Sequence, residues 1–173
     1  EGRPPVSLHG GTPLAGIDYR LPMASAQVKS ALLLATLRAA GITRITEPAP
    51  TRDHTERMLR QLGATVTRRG ATVELAGGQR LRGGPIEVPG DFSSAAFFIV
   101  AGCLAAAKGL TVRRVGVNPT RTGLLDALRL MGARITVTPA PDAGAEPCAD
   151  ISCQASELKG VVIPPALVPL AID

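Results

Sequence analysis

The sequence predicts a mixed α/β protein built from repeated β-α-β-α-β-β units, and three features carry that prediction. First, the chain repeats itself at an offset of 69 residues: Pro50-Thr51-Arg52 returns as Pro119-Thr120-Arg121, Leu59-Arg60 as Leu128-Arg129, Gly63-Ala64 as Gly132-Ala133, and Ser25-Ala26 as Ser94-Ala95. A period this long, holding both helix and strand signals, marks a duplicated supersecondary unit rather than a short solenoid turn. Second, each copy holds an apolar helical run that follows a short extended segment ending in proline. Third, β-branched runs bounded by Gly or Pro stand where strands would complete each unit.

Each copy opens with its extended run, residues 17–22 and 86–89. The helix after the first, residues 25–40, carries Val28, Ala31, Leu32, Leu33, Leu34, Ala35 and Leu37. Apolar on nearly every face, it is expected to be buried over most of its circumference. Its twin at 94–107 holds Phe97, Phe98, Ile99, Val100, Cys103 and Leu104 and carries the same expectation. Gly41 and Gly109 stop these helices, glycine being the residue that turns left-handed at a helix end. Strands follow at 43–46 and 111–115. Thr51 and Thr120 then stand as N-caps of a second, amphipathic helix in each copy. In the first copy that helix is expected to turn Met58, Leu59 and Leu62 to one side and Glu56, Arg57 and Arg60 outward, with Glu56 and Arg60 at the favourable i,i+4 spacing, and to close at Gly63. Strands at 65–67 and 72–75 joined by Arg68-Arg69-Gly70-Ala71 read as a hairpin. The second copy ends with residues 134–138, a surface loop at 139–147, and 151–153. A third copy is expected to begin at Leu158-Lys159-Gly160, echoing Leu14-Ala15-Gly16 and Leu81-Arg82-Gly83, and both ends of the chain read as cuts through a longer protein. The expected divisions are 1–84, 85–157 and 158–173.

Composition narrows the class. At 173 residues and 45% hydrophobic the chain can bury a core, and 2% aromatic content leaves that core to Leu, Val, Ile and Ala. Its longest apolar stretch, 95–107, spans 13 residues, too few to cross a bilayer. A net charge of +5 is compatible with nucleic acid, yet the basic residues are scattered and stacking platforms scarce, so small anionic ligands fit better. Cys103, Cys148 and Cys153 lack metal-ligand spacing, and His9 and His54 have no partner cysteine, which argues for a reducing compartment without structural zinc.

Three places carry possible chemistry. In Ser25-Ala26-Gln27 a helix start offers N–H groups and partial positive charge to a phosphate, or Ser25 simply caps the helix. Arg52 clamps an anion with its planar fork of donors, or pairs with a surface carboxylate. Asp91 or Ser93 caps the second apolar helix, with ligand contact the lesser reading.

Four blocks then carry a resemblance: Leu21-Pro22-Met23-Ala24-Ser25-Ala26-Gln27-Val28-Lys29-Ser30-Ala31, Thr51-Arg52-Asp53-His54-Thr55-Glu56-Arg57-Met58-Leu59, Val88-Pro89-Gly90-Asp91-Phe92-Ser93-Ser94-Ala95-Ala96-Phe97-Phe98, and Asn118-Pro119-Thr120-Arg121-Thr122-Gly123. In this order they resemble the 5-enolpyruvylshikimate-3-phosphate synthase family, closest to its glyphosate-tolerant bacterial branch, which also has Ala before Gln. The resemblance implies the enolpyruvyl transferase fold: repeated β-α-β-α-β-β units in two lobes, buried parallel helices inside and sheets outside, about two units being present here. The first copy would complete one lobe, the second begin the other, with the crossover near residues 84–91. The implied reaction moves the enolpyruvyl group of phosphoenolpyruvate to the 5-hydroxyl of shikimate 3-phosphate, with no cofactor and no metal, in a cytoplasmic monomer that engages neither nucleic acid nor membrane.

By the same resemblance, Ser25 and the Ala26 N–H match the shikimate-phosphate cradle, Gln27 a side chain reaching substrate, and Arg52 a further phosphate contact. Asp173 matches the carboxylate that holds the shikimate hydroxyls and acts as general base. The family's Lys-Ser opening, its Gly-Asn-Ser-Gly-Thr loop with a following Arg, and its Lys-Glu-Ser-Asp-Arg segment have no counterpart in the chain, so it is expected to be inactive alone. The alternatives are a folded fragment that only binds shikimate 3-phosphate, and the related UDP-N-acetylglucosamine enolpyruvyl transferase, whose reactive-cysteine loop is not recognisable around the three cysteines.

Overall fold

In the computed structural model, which describes residues 3–141 and 144–171, the first copy opens on a short strand, β1 (Asp18–Arg20). Helix α1 (Ala26–Thr36) follows, then β2 (Ile42–Thr46), α2 (His54–Gln61) and the hairpin β3 (Val66–Arg69) and β4 (Thr72–Ala76). The second copy runs α3 (Phe92–Ala105), β5 (Leu110–Gly116), α4 (Gly123–Leu130), β6 (Arg134–Pro139) and β7 (Cys148–Gln154), before a 3-10 helix at Pro165–Leu170. Two compact units result: Glu1–Ala49 with Thr65–Arg80, and Pro50–Ala64 with Leu81–Asp173.

In the first unit the strand order is β1-β2-β4-β3, with β1 parallel to β2 and the other pairs antiparallel. The Arg69↔Thr72 register closes the hairpin over Gly70, whose φ of 58° lies in the left-handed region that a two-residue turn requires. Leu33, Ile45, Val73 and Leu75 are wholly buried, and α1 packs against β2 and β4.

In the second unit the sheet runs β5-β7-β6, antiparallel throughout. Its core gathers Phe92, Ala95, Ile99 and Cys103 of α3, Val115, Leu125, Leu128, Ile151 and Cys153. Gly102 lets α3 sit against the sheet, because a β-carbon there would run into the Cys153 sulfur and the Leu110 side chain. The ladder breaks between Val112 and Val115, where Arg114 takes φ 53° and donates its N–H to Asp150 at 2.9 Å.

Four expectations are corrected. The apolar helices are not buried over most of their circumference: α1 buries only Lys29, Leu33 and Thr36, while α3 buries one stripe and leaves Phe97 79% exposed, with Phe98 and Leu104 also outside. Each rests on a single sheet, and one sheet covers only the positions spaced three and four apart. Residues 86–89 form no strand; Pro85 and Pro89 have no N–H to give a ladder, and a single bridge from Gly90 to Val115 is all that remains. Thr51 and Thr120 do not cap α2 and α4, whose N-cap positions fall to Asp53 and Thr122, neither making a side-chain cap bond. Glu56, expected to face outward with Arg57 and Arg60, is buried on α2, while Met58 of the expected inner side is 38% exposed.

Candidate functional site

Ser25 sits in extended backbone before α1, and its Oγ accepts the Val28 N–H at 3.3 Å. Capping is therefore its role within the fold. Its hydroxyl also donates to Gln27 Oε1 at 3.4 Å, so Ser25, the first helical residue Ala26, and Gln27 are brought together at one helix start. No acidic side chain lies in the first turn of α1, and the N–H groups of Ala26 and Gln27 have no intrahelical acceptor, which leaves the positive end of the helix dipole facing outward.

Arg52 lies in the other unit. It lines a cavity of about 420 Å³ together with Ser93, Thr120 and Arg121, over an apolar floor that includes Phe92, Phe97 and Leu124. That volume suits a small metabolite, and two guanidinium groups at an apolar pocket suit an anion. Pro169, Leu170 and Ala171 close one side. Asp173 lies outside the described residues.

Arg121 is what reading the motifs one at a time missed. Arg121 donates to Ser93 Oγ at 2.7 Å and pairs with Asp91 at 3.6 Å. The signal for Arg121 was already in the repeat, since it is the counterpart of Arg52 at the common offset. Asp91 caps α3, accepting the Ser94 N–H at 2.7 Å and its hydroxyl at 2.8 Å. That backbone bond, then the hydroxyl and Arg121, hold its carboxyl below the usual aspartate range.

The start of α2 is held sideways. Asp53 Oδ1 accepts from Arg57 Nε at 2.8 Å and from Asn118 Nδ2 at 2.7 Å, while Asn118 Oδ1 takes the Thr120 N–H and hydroxyl. Burial alone would raise the Asp53 pKa, but the bonds from Arg57 and Asn118 outweigh it and lower it. His54 Nδ1 meets Glu146 Oε1 at 2.8 Å in the same network. These competing bonds explain why Asp53, at the N-cap position of α2, makes no side-chain cap bond, and they hold the residue next to Arg52.

The cysteines offer no nucleophile. All three are free and buried, and burial pushes the thiols of Cys103 and Cys153 up, away from the thiolate that attack requires. Among the described residues no helix is long and apolar enough to cross a membrane.

Comparison with known proteins shows the family and the fold. The family EPSP synthase (3-phosphoshikimate 1-carboxyvinyltransferase) matches residues 1–172. The chain is 59% identical over 172 residues to the 3-phosphoshikimate 1-carboxyvinyltransferases of Alkalilimnicola ehrlichii and Halorhodospira halophila, covering 99% of this chain and 39% of each relative. The solved EPSP synthase of Acinetobacter baumannii superposes with a TM-score of 0.91 at 53% identity, over 99% of this chain and 39% of that one. The chain thus spans 39% of the length of these relatives.

Proposed function

The chain belongs to the EPSP synthase family, and on that footing we propose that it contributes the shikimate 3-phosphate half-site of a longer enolpyruvyl transferase. The 5-hydroxyl oxygen of shikimate 3-phosphate adds to the enol carbon of phosphoenolpyruvate as the methylene carbon takes a proton, giving a tetrahedral intermediate; loss of phosphate together with a proton from the resulting methyl group restores the double bond. Ser25 and the Ala26 N–H receive the shikimate phosphate at the start of α1, where the helix dipole favours a dianion. Gln27 reaches substrate from the same turn. Arg52 binds a phosphate oxygen from its cavity, and Asp173 takes the hydroxyl proton as general base.

The observation that carries this reading is the cavity that Arg52 and its repeat counterpart Arg121 both line, over an apolar floor. The buried thiols speak against the cysteine-dependent UDP-N-acetylglucosamine enzyme and fit a reducing cytoplasm, and the full-length enzyme is read as a monomer. Segments 1–84, 85–157 and 158–173 are read as the end of one lobe, the first unit of the other and the start of a further unit. Ala26 between Ser25 and Gln27 supports membership of the glyphosate-tolerant branch, which an inhibition curve on the full-length enzyme checks.

The test is calorimetric titration of the full-length enzyme with shikimate 3-phosphate, wild type against Arg52→Ala. Saturable binding that weakens about tenfold or more in the variant is expected, the loss of one charge-assisted contact. Equal affinity in the two proteins overturns the role of Arg52, and absence of binding to the wild type overturns the function. The 173-residue chain assayed alone is expected to show no turnover.

A further inference from the structure

Asn118 is the single asparagine of the chain and is only 2% exposed. It follows β5 and opens the turn Asn118-Pro119-Thr120-Arg121, which closes with the Arg121 N–H donating to the Asn118 carbonyl at 2.9 Å. Pro119 presets the φ that the second position of such a turn requires. The Asn118 side chain tightens the same turn, because its Oδ1 accepts the Thr120 N–H at 2.9 Å and the Thr120 hydroxyl at 2.7 Å. Thr120 and Arg121 both line the cavity of about 420 Å³.

The other end of the amide serves a different segment. Nδ2 donates to Asp53 Oδ1 at 2.7 Å and to Glu146 Oε2 at 3.2 Å. The His54 ring is also near, with its Nδ1 3.4 Å from Nδ2. That ring nitrogen lies 2.8 Å from Glu146 Oε1, and a carboxylate oxygen only accepts, so Nδ1 carries a hydrogen and the two Nδ2 hydrogens go to the two carboxylates. The amide therefore has one workable orientation. Reversed, it would set its oxygen against both carboxylates and its NH2 against the Thr120 N–H.

The turn uses only half of this side chain. An aspartate or serine oxygen at position 118 would accept the Thr120 N–H as well. The amide nitrogen is what the link to Asp53 requires, and Asp53 is the neighbour of Arg52, which lines the same cavity as Thr120 and Arg121. Arg52, Asp53 and Asn118 all belong to one compact unit. The repeat shows what such a link supplies. Ala49 stands where the second copy has Asn118, and it has no side-chain acceptor with which to organise Pro50-Thr51-Arg52.

We propose that Asn118 is a positioning residue for phosphate binding: by joining the Asp53 carboxylate to the Thr120 turn it places Arg52 at the cavity that Thr120 and Arg121 line, and so raises the affinity of Arg52 for a phosphate oxygen of shikimate 3-phosphate. The inference rests on the functional reading above. Asn118 acts on the ligand through Asp53 and the backbone that joins Asp53 to Arg52.

The test is a double-mutant cycle in the full-length enzyme: wild type, Asn118→Ser, Arg52→Ala and the two combined, titrated calorimetrically with shikimate 3-phosphate and with phosphate-free shikimate. Asn118→Ser adds no charge, and its hydroxyl still accepts the Thr120 N–H, but it is too short to reach Asp53. It is expected to weaken shikimate 3-phosphate binding about threefold to tenfold, what one intramolecular hydrogen bond contributes, and to leave shikimate binding unchanged. In the Arg52→Ala background the same change is expected to cost nothing further, since the residue it positions is gone. In turnover the KM for shikimate 3-phosphate rises while kcat stays near the wild-type value.

A loss that persists in full in the Arg52→Ala background, or that both ligands share, makes Asn118 structural only, and the inference fails. Unchanged shikimate 3-phosphate affinity in Asn118→Ser overturns it equally. If Asn118→Ser does not fold, Asn118→Asp takes its place in the cycle. That variant keeps the shape and the Thr120 acceptor and sets a carboxylate against Asp53 and Glu146, and the same coupling to Arg52 supports or overturns the inference. If neither variant folds, Asn118 is structural and the inference fails. A wild-type enzyme that binds no shikimate 3-phosphate, or an Arg52→Ala variant that binds it as wild type does, removes the functional reading first, and this inference with it.

Discussion

The two sequence copies keep the same element register and hold their elements by different means. Helix α4 (Gly123–Leu130) stands at the repeat offset from α2 (His54–Gln61), and α1 and α3 end at matching positions, Thr36 and Ala105. The sheets share their strand order once β1, which has no partner in the second copy, is set aside. What differs is the seating of the first helix. In the first copy it rests on Lys29, Leu33 and Thr36, with Ser25 as a neutral cap; in the second it rests on Phe92, Ala95, Ile99, Gly102 and Cys103, with the carboxylate of Asp91 as cap. Duplication has preserved geometry while the interactions that enforce it diverged. The polar seating occurs in the copy whose helix start is proposed to receive a dianion.

The largest test of that contrast is to remove one member of each seating. Glu47→Leu removes the carboxylate 3.1 Å from the buried Lys29 ammonium and is expected to cost about 3–5 kcal/mol. Ile99→Ala opens a cavity in the apolar seating and is expected to cost about 2–5 kcal/mol. Urea unfolding measures both. The sharper readout comes from adding Lys29→Met to Glu47→Leu, which is expected to recover most of the loss. If the double variant is no more stable than Glu47→Leu, the first helix is not seated on an ion pair in the way its burial implies.

A smaller effect is expected where the second copy packs most closely. Gly102→Ala directs a β-carbon at the Cys153 sulfur and at Leu110 side-chain atoms 3.1 and 3.2 Å away, an overpacking worth about 1–3 kcal/mol. Ala35 already stands in the matching helix of the first copy, so Ala35→Gly there probes only helix propensity, about 1 kcal/mol. Thermal unfolding separates the two: a gain in Gly102→Ala that mirrors the loss in Ala35→Gly would mean that close approach of α3 to its sheet contributes nothing beyond propensity.

The element order was legible because the chain punctuates it chemically. Gly41, Gly63, Gly109 and Gly132 all take φ between 85° and 96°, and each ends a helix at a place where a side chain would be strained. Cap identity was less legible, since Thr51 and Thr120 have suitable chemistry while Asn118, Arg57 and Asp53 settle the matter through bonds between distant segments. Helix burial was misjudged because apolar content states what a face prefers and not what lies against it. Arg121 could be read from the repeat alone. Lys29 could not: a lysine in an apolar helical run reads as solvent-facing, and its partners stand on β3 and at the end of β2, which only the folded sheet brings together.

The finest distinction between the copies is in their caps, and acid separates them. Ser25→Ala removes a neutral acceptor and is expected to cost about 1 kcal/mol at any pH. Asp91 is different, because the Ser94 N–H, the Ser94 hydroxyl and Arg121 favour its ionised form and lower its pKa. A carboxyl whose pKa is depressed on folding contributes stability that is complete above its unfolded value, about 3.9, and is lost as pH falls through the lower folded value. The carboxylate is half exposed, so solvent screens the effect and it is small. Asp91→Asn keeps an acceptor for the Ser94 N–H while removing the titration. It is expected to flatten the acid limb of the second unit's stability curve, whereas Ser25→Ala lowers stability evenly without changing that limb's slope. Hydrogen exchange in β5 and β7, followed from neutral pH to below 4, reads the slope for the second unit. If Asp91→Asn leaves it unchanged, the carboxylate cap is no more pH-sensitive in the folded chain than in the unfolded one, and the difference between the two helix starts is one of hydrogen-bond geometry and not of charge.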